Sequence, residues 1–402
     1  MSEEDEYLIQ SPNSSPKLIS GKLEAADNKT LQKNLRDSIN NASQYLQKFN
    51  TIDGKFVYIN YLKDNSNEKS SYNELRHSGA IYALWLNYKY NKNEKTLKTI
   101  NKAVTFLQDC CVDKVPEGEN MLAVWSYPYR VKSPNFREAK LGGAGLGLAA
   151  LAGMNSIDNT AVDIETLRKL AKFIIYMLKD DGGYYSKYIL MKGGKQNNWT
   201  SLYYPGEAAL GLSMLYEIDP NPLWINSAVR IIKGLAESRK GKSEVPDDHW
   251  ALLATNNIFK LSKTRKFDFP KELFIDHAVQ ICENVIKSKS FLNKSDNTLH
   301  IRNISSGRIA PIATTLEGVL AAYEFLPDKH VNLKTKIMEF SEKGIKFLLS
   351  SQILSGEFKG GFPSKVIYIK SGDIYKINKD IRIDYVQHAM SAMIQYLGIM
   401  KI

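Results

Sequence analysis

The chain has 402 residues, 43% hydrophobic and 24% charged, with a net charge of +11. That is the composition of a globular protein. No apolar run reaches the ~18 residues a membrane span needs, and three cysteines, Cys110, Cys111 and Cys282, form neither a disulfide framework nor a CxxC zinc pair. Lysines are spread along the chain, so the positive field is general and favours anionic partners. A composition biased to Lys, Asn and Ile is the slightly better explanation. No nucleic-acid-binding motif is visible.

The chain opens with MSEEDEYLIQSPNSSPK, which lacks the basic-then-apolar order of a signal peptide. Residues 1–25 read as a disordered acidic tail, and residues 26–402 as one domain. A cytoplasmic location is expected, with signal-independent export left open.

From there two segment types alternate. The first is amphipathic with one polar face: 35–49, 95–110, 164–179, 222–240, 271–288 and 333–352. In the third, Leu167, Leu170, Ala171, Ile174, Ile175 and Leu178 follow the i, i+3, i+4 spacing of a helix with one buried face. The second type begins polar and continues with small and apolar residues all round, as in helices buried on every side. These are NELRHSGAIYALWLNY (73–88), REAKLGGAGLGLAALAG (137–153), YYPGEAALGLSMLYE (203–217), DDHWALLATNNIF (247–259), TTLEGVLAAYEFL (314–326) and DYVQHAMSAMIQYLG (384–398). The alternation is an internal repeat of helix pairs. Six outer and six inner helices form an (α/α)6 toroid, an all-α architecture.

Links from an inner helix to the next outer one are mostly short. Links from outer to inner helices are mostly long and rich in Gly and aromatics, and their alternating residues predict small β-hairpins. All the long loops gather at one mouth, at the N-termini of the inner helices, which makes that mouth the binding face.

Three loops open with Gly followed by an aromatic. Gln352-Ile-Leu-Ser-Gly356-Glu-Phe358 fits a Q-x-x-x-G-x-W repeat with Phe for Trp, while Gly182-Gly183-Tyr184 and Gly54-Lys55-Phe56 keep its second half. With the helix-pair pattern over residues 31–400, the chain resembles the (α/α)6-toroid superfamily: six-hairpin glycosidases, uronate epimerases and lyases with toroid domains and, more distantly, terpenoid-cyclase and prenyltransferase toroids. The DxDD acid motif of cyclases and the Cys, Cys-His metal set of lanthionine cyclases are missing. The resemblance implies sugar chemistry in the central cavity.

Aligned on their small-residue cores, the inner segments place His77, Gly143, Glu207, His249, Glu317 and His388 in one column, at spacings of 66, 64, 42, 68 and 71 residues. Five of the six are His or Glu, and three of the protein's six histidines fall there. The resemblance and this column together suggest a glycoside hydrolase-like enzyme with Glu207 as general acid, Asp247 or Asp248 as base, and His249 and Glu317 assisting. Two carboxylates flanking a glycosidic bond are what that reaction needs. Arg76, His77, Arg137, Trp125, Trp199, Tyr203, Tyr204, Trp250, Asp384 and His388 complete the expected substrate-binding set. Stacking aromatics and polar groups for hydroxyls suit a glycan, an anionic one included.

Two rivals remain open. A uronate C5-epimerase or polysaccharide lyase needs a His or Tyr base and a cation for the substrate carboxylate, a part open to Arg76 and Arg137. A non-catalytic toroid that binds or modifies peptides needs neither. Structural roles also stand beside each assignment. Glu207, Glu317, Asp247 and Asp384 sit where a first helical turn is expected, and an acid there stabilises the turn by roughly 0.3–1 kcal/mol. His77 and His388 also suit hydrogen-bonded core positions, and Trp125 and Trp199 suit loop anchors. His277, His300 and His330 read as structural or surface residues. No HxH or HExxH spacing occurs, so no metal or cofactor is expected. The glycines of KLGGAGLG (140–147) follow no strand signal and read as packing residues.

Overall fold

The computed structural model describes residues 27–62, 72–116, 118–126, 137–180, 182–288, 291–294, 298–301, 307–368 and 374–400. The expected tail at 1–25 lies outside them. Among the described residues, twelve α-helices carry the fold. The outer ones are α1 (Asn28–Lys48), α3 (Glu94–Cys111), α5 (Ile164–Tyr176), α7 (Pro222–Arg239), α9 (Lys271–Ser288) and α11 (Val331–Ser351). The inner ones are α2 (Glu74–Tyr90), α4 (Leu141–Asn155), α6 (Tyr204–Ile218), α8 (His249–Ser262), α10 (Ile309–Phe325) and α12 (Ile383–Ile399).

Each inner helix packs on the next in chain order, and α12 returns to α2, closing the ring. Outer helices other than α9 pack chiefly on the inner helix before them, as α3 on α2, α5 on α4, α7 on α6 and α11 on α10, while α1 lies on α12; α9 lies against α7, α11 and α10. This is the (α/α)6 toroid expected from the alternation. None of the helices in the described residues is long and apolar enough to cross a membrane.

Packing inside the ring explains the glycine-rich start of α4. A Cβ at Gly145 would meet the backbone of Glu207 and Ala208, and one at Gly211 the carbonyl of Gly145. The two helices therefore touch backbone to backbone, which only glycine permits.

Short strands occupy the long loops: β1 (Ile59–Tyr61), β2 (Val112–Val115), β3 (Gly118–Ser126), β4 (Glu138–Lys140), β5 (Lys187–Ile189), β6 (Gly194–Gln196), β7 (Phe291–Lys294), β8 (Thr298–Ile301), β9 (Val366–Tyr368), β10 (Ile374–Ile377) and β11 (Asp380–Arg382). Hairpins form as expected in β2–β3, β5–β6 and β9–β10, and also in β7–β8. The first long loop differs. Among the described residues its β1 pairs antiparallel with β11 and not with a local partner, Tyr61 opposite Asp380, tying the first repeat to the last. Strands β2 to β6 join the second and third loops in one antiparallel sheet.

The Gly-aromatic openings share one turn. Gly54, Gly182 and Gly356 have φ of +86°, +85° and +78°, and Phe56 and Tyr184 bridge back to Asn50 and Leu178 at the end of the preceding helix. The Gln352 amide donates to the carbonyls of Ser38 and Gly360, at 3.0 and 3.1 Å.

Candidate active site

A cavity of about 380 Å³ opens among the N-terminal ends of the inner helices. Glu207, Asp247, His249, Trp250, Asp384 and His388 line it, with Arg76, Tyr203 and Tyr204. Residues overlooked in the sequence also face it: Asn73, Leu146, Thr314 and Thr315 among them. Asn73 carries a visible signal, since Asn before a helix is a common N-cap, and its side chain accepts from the Arg76 N–H at 3.1 Å. The two threonines carry none.

At the base of this cavity, α8, α10 and α12 bring His249, Glu317 and His388 together, with one potential ligand atom from each lying within 4.8 Å of the others. Glu317 sits two turns into α10, not in its first turn, because the helix begins at Ile309. His388 Nδ1–H donates to the Glu317 carboxylate at 2.7 Å. Burial pulls His388 down, but the charge and hydrogen bond of Glu317 outweigh it and hold the imidazole above its ordinary value. His249 is the opposite case. Both its ring nitrogens are buried without a hydrogen-bond partner, and burial, then the neighbouring His388, hold it well below the ordinary imidazole value. The two rings stand edge to face, 5.5 Å between centroids, with the Trp250 ring 4.8 Å from His249 and 6.0 Å from His388. Two histidines side by side are thus pushed apart in proton affinity. The same three residues are a ligand set of the kind that holds Zn²⁺, which the lack of a local motif did not foretell.

Glu207 is 3% exposed. Burial, assisted by the Asp248 charge, pushes its carboxyl up to about 8. It does not cap its helix: α6 has no side-chain cap, and Glu207 Oε2 has no hydrogen-bond partner. The carboxylate lies against Gly142 of α4, where a Cβ would occupy its place.

Asp384 pairs with Arg76 (3.1 Å) and in two-pronged fashion with Arg382 (2.6 and 2.9 Å). Arg76 also donates to the Tyr58 hydroxyl. Tyr203, which lines the cavity, is 41% exposed; Trp199 is 47% exposed and reaches the cavity only through its contact with Tyr204. The Trp199 ring meets Tyr204 edge-on at 5.7 Å, and the Tyr203 ring meets His249 at 5.6 Å.

Four expected site residues lie elsewhere. His77 is fully buried between α2 and α3, its Nε2 bonded to the Ala103 carbonyl (2.9 Å) and its Nδ1 to the Tyr72 hydroxyl (2.7 Å), in the core role. Asp248 is fully buried and faces outward, to Arg239 of α7 and to the Ala251 N–H, so of that acid pair it is Asp247 that lines the cavity. Trp125 is 2% exposed beneath the loops, donating to the Asp113 carbonyl at 3.1 Å. Arg137 stacks on Trp125 at 4.9 Å and pairs with Asp113 at 2.7 Å.

A second cavity of about 380 Å³ opens at the opposite end of the ring, beside Trp85, Lys260 and Glu324. Its polar groups serve one another. Asn256 and Lys260 hold Glu324 at 2.8 and 2.5 Å, and Arg265 caps α6 at the carbonyls of Tyr216 and Glu217, both 2.7 Å.

No family model and no curated protein matches the chain. Solved structures do. A cellobiose 2-epimerase from Bacillus thermoamylovorans superposes with a TM-score of 0.66 at 14% identity, covering 92% of this chain and 99% of the other. A D-mannose isomerase gives 0.60 at 11% identity, covering 91% and 97%. An α-1,6-mannanase from Salegentibacter sp. HEL1_6 gives 0.55 at 12% identity, covering 92% and 98%. Over nearly its whole length the chain shares the (α/α)6 toroid fold of these sugar-acting enzymes.

Proposed function

We propose that the protein is a carbohydrate-active enzyme that epimerises or isomerises a reducing sugar by moving a proton on the carbon beside its carbonyl. The observation that carries this reading is the His249–His388 pair, with Glu317 holding one member. Two groups whose surroundings drive their proton affinities apart are suited to act as base and acid. His249, neutral at pH 7, takes the proton from the carbon, and its electron pair moves into a carbon–carbon double bond while the carbonyl becomes an enolate oxygen. Arg76, oriented by Asp384 and Tyr58, offers that oxygen a charged donor. His388, as imidazolium, returns a proton, to the opposite face of the same carbon in epimerisation or to the neighbouring carbon in isomerisation, where the hydroxyl proton of the first carbon passes to the enolate oxygen as the new carbonyl forms. Glu317 balances the imidazolium charge.

Arg76 already serves Asp384, and Glu207 and Asp247 share the cavity with them. That balance favours a neutral sugar over the uronate considered from the sequence. The likeness in fold to an epimerase and an isomerase agrees with the reading.

A glycoside hydrolase is the second reading. Glu207 supports it, because a carboxyl raised to about 8 keeps its proton at neutral pH, as a general acid requires, with Asp247 in the cavity as base.

Incubation with cellobiose and with D-mannose in D₂O, followed by NMR, tests the proposal. Deuterium at C2 or C1 is expected, and its loss in His249→Ala and His388→Ala. Cleavage of α-1,6-mannotetraose without deuterium incorporation at carbon would replace the first reading by the second.

A further inference from the structure

We propose that Arg239, Asp248 and His277, all outside the cavity, form a buried positioning device that fixes the first turn of α8 and so aims the His249 imidazole. The inference rests on the reading of His249 as the base.

His249 has no hydrogen bond from its ring. Its direction is set by its backbone and by the rings of Trp250, His388 and Tyr203 around it. That backbone is the first residue of α8, and a helix start carries four N–H groups without helical partners. Asp248 is the N-cap. Its Oδ1 accepts the Ala251 N–H at 3.1 Å, and its carbonyl accepts the Leu252 N–H at 3.2 Å. An exposed Ser or Asn would suffice for capping. Here the cap is fully buried and its other oxygen takes Arg239 Nη2 at 2.7 Å. Burying an ion pair is a poor route to stability, because desolvation offsets the attraction. What it supplies is a fixed geometry between α7 and α8.

The outer ring extends this anchor. Arg239 Nη1 donates to His277 Nε2 of α9 at 3.2 Å. Burial, then the Arg239 charge, push His277 down to about 3, so it stays a neutral acceptor. Gln280 of α9 donates to the carbonyls of Arg239 and Lys242, at 2.8 and 2.9 Å, and Asn284 to that of Val245 at 2.9 Å. The link between α7 and α8 is therefore pinned along its length. On the other side, Gly318 of α10 leaves just the room the His249 Cα and Cβ occupy.

The ionisable groups around Asp248 are Arg239, His277, Glu207, Tyr184 and Tyr203. Around His249 they are His388, Glu317 and Tyr203, with Asp247 preceding in the chain. The Asp248 charge also helps to raise Glu207, so one buried pair acts on two cavity groups.

The test uses Arg239→Met, Asp248→Asn, the double variant and the milder Arg239→Lys. The measurements are thermal unfolding, kcat and KM for deuterium exchange into cellobiose and D-mannose, and NMR titration of ¹³C-labelled histidine rings. The double variant is expected to regain stability over either single change, since no unpaired buried charge remains. Its kcat is expected to stay about tenfold or more below the wild type, with KM within about threefold. The His249 ring should titrate closer to the ordinary imidazole value, because a loosened ring reaches water. Loss of the Asp248 anion and loss of the Arg239 cation act on His249 in opposite directions, so in the double variant the two removed charges offset each other. Arg239→Lys should recover part of kcat. A folded double variant with native kcat and an unmoved His249 titration would overturn the proposal. If the wild type exchanges neither sugar, the functional reading fails, and the NMR contacts of the His249 ring with the Trp250 and His388 rings, kept in the wild type and lost in the double variant, still decide the positioning role.

Discussion

Glu317→Gln preserves side-chain size at the carboxylate that touches His388 and removes its charge. The two groups are 2.7 Å apart on α10 and α12, nearly shut off from solvent. A hydrogen bond to a charged partner contributes about 1.5–3 kcal/mol. In the proposed mechanism the imidazolium must be in place to return a proton, so the loss falls on the reacting form. At about 1.36 kcal/mol per factor of ten, kcat should fall roughly 10- to 150-fold. The pH dependence has a definite sign. Burial lowers His388 and Glu317 more than compensates, so in the variant burial is opposed only by the weaker pull of Asp384 and the proton is lost at lower pH. The alkaline limb of kcat should therefore move to lower pH. A histidine whose folded value is raised contributes stability that is full below its unfolded value near 6.5 and lost as pH rises through the folded value. The stability difference between wild type and variant should thus be larger at about pH 5.5 than at about pH 9. Deuterium exchange across pH and thermal unfolding at both ends measure these effects. A change in kcat below about threefold, with the alkaline limb in place, would refute His388 as the acid.

Glu207→Gln should flatten the pH dependence of stability. The native carboxyl ordinarily titrates at 4.5 and in the fold at about 8, so stability is full below the lower value and declines as pH rises to the upper one. Thermal unfolding at about pH 5 and about pH 8.5 checks this, and identical slopes for both proteins count against the buried-acid assignment. Gly145→Ala should destabilise by about 3 kcal/mol or more, because the new methyl meets the backbone of α6 where no side chain can swing away; denaturant unfolding that stays within about 1 kcal/mol of wild type would contradict the close helix contact. Treatment with EDTA should leave exchange unchanged, because Glu317 and His388 already satisfy each other by a direct hydrogen bond. Loss that Zn²⁺ restores would reassign the trio to metal binding.

Much of this molecule is legible in the residues. Outer helices carry one polar face and inner helices none, because only the former touch water. That contrast alone orders the chain into six pairs and puts the long loops at one mouth. It also brings Glu207, His249, Glu317 and His388 to the same end of the ring. What the residues do not reveal is the rotation of each inner helix. A helix apolar all round has no pattern to mark which side faces the axis, and a shift of one residue turns a side chain by about 100°. Hence His77 turns outward to α3 while His388 meets Glu317. Asp248 turns to Arg239, and its neighbour Asp247 lines the cavity. Arg382 was likewise invisible as a partner of Asp384, since the charge balance of a buried site depends on which groups the packing brings together. Composition and periodicity set the ring and the end that carries the long loops, and only the packing of α7, α8 and α9 decided which acid serves as the cap and which faces the cavity.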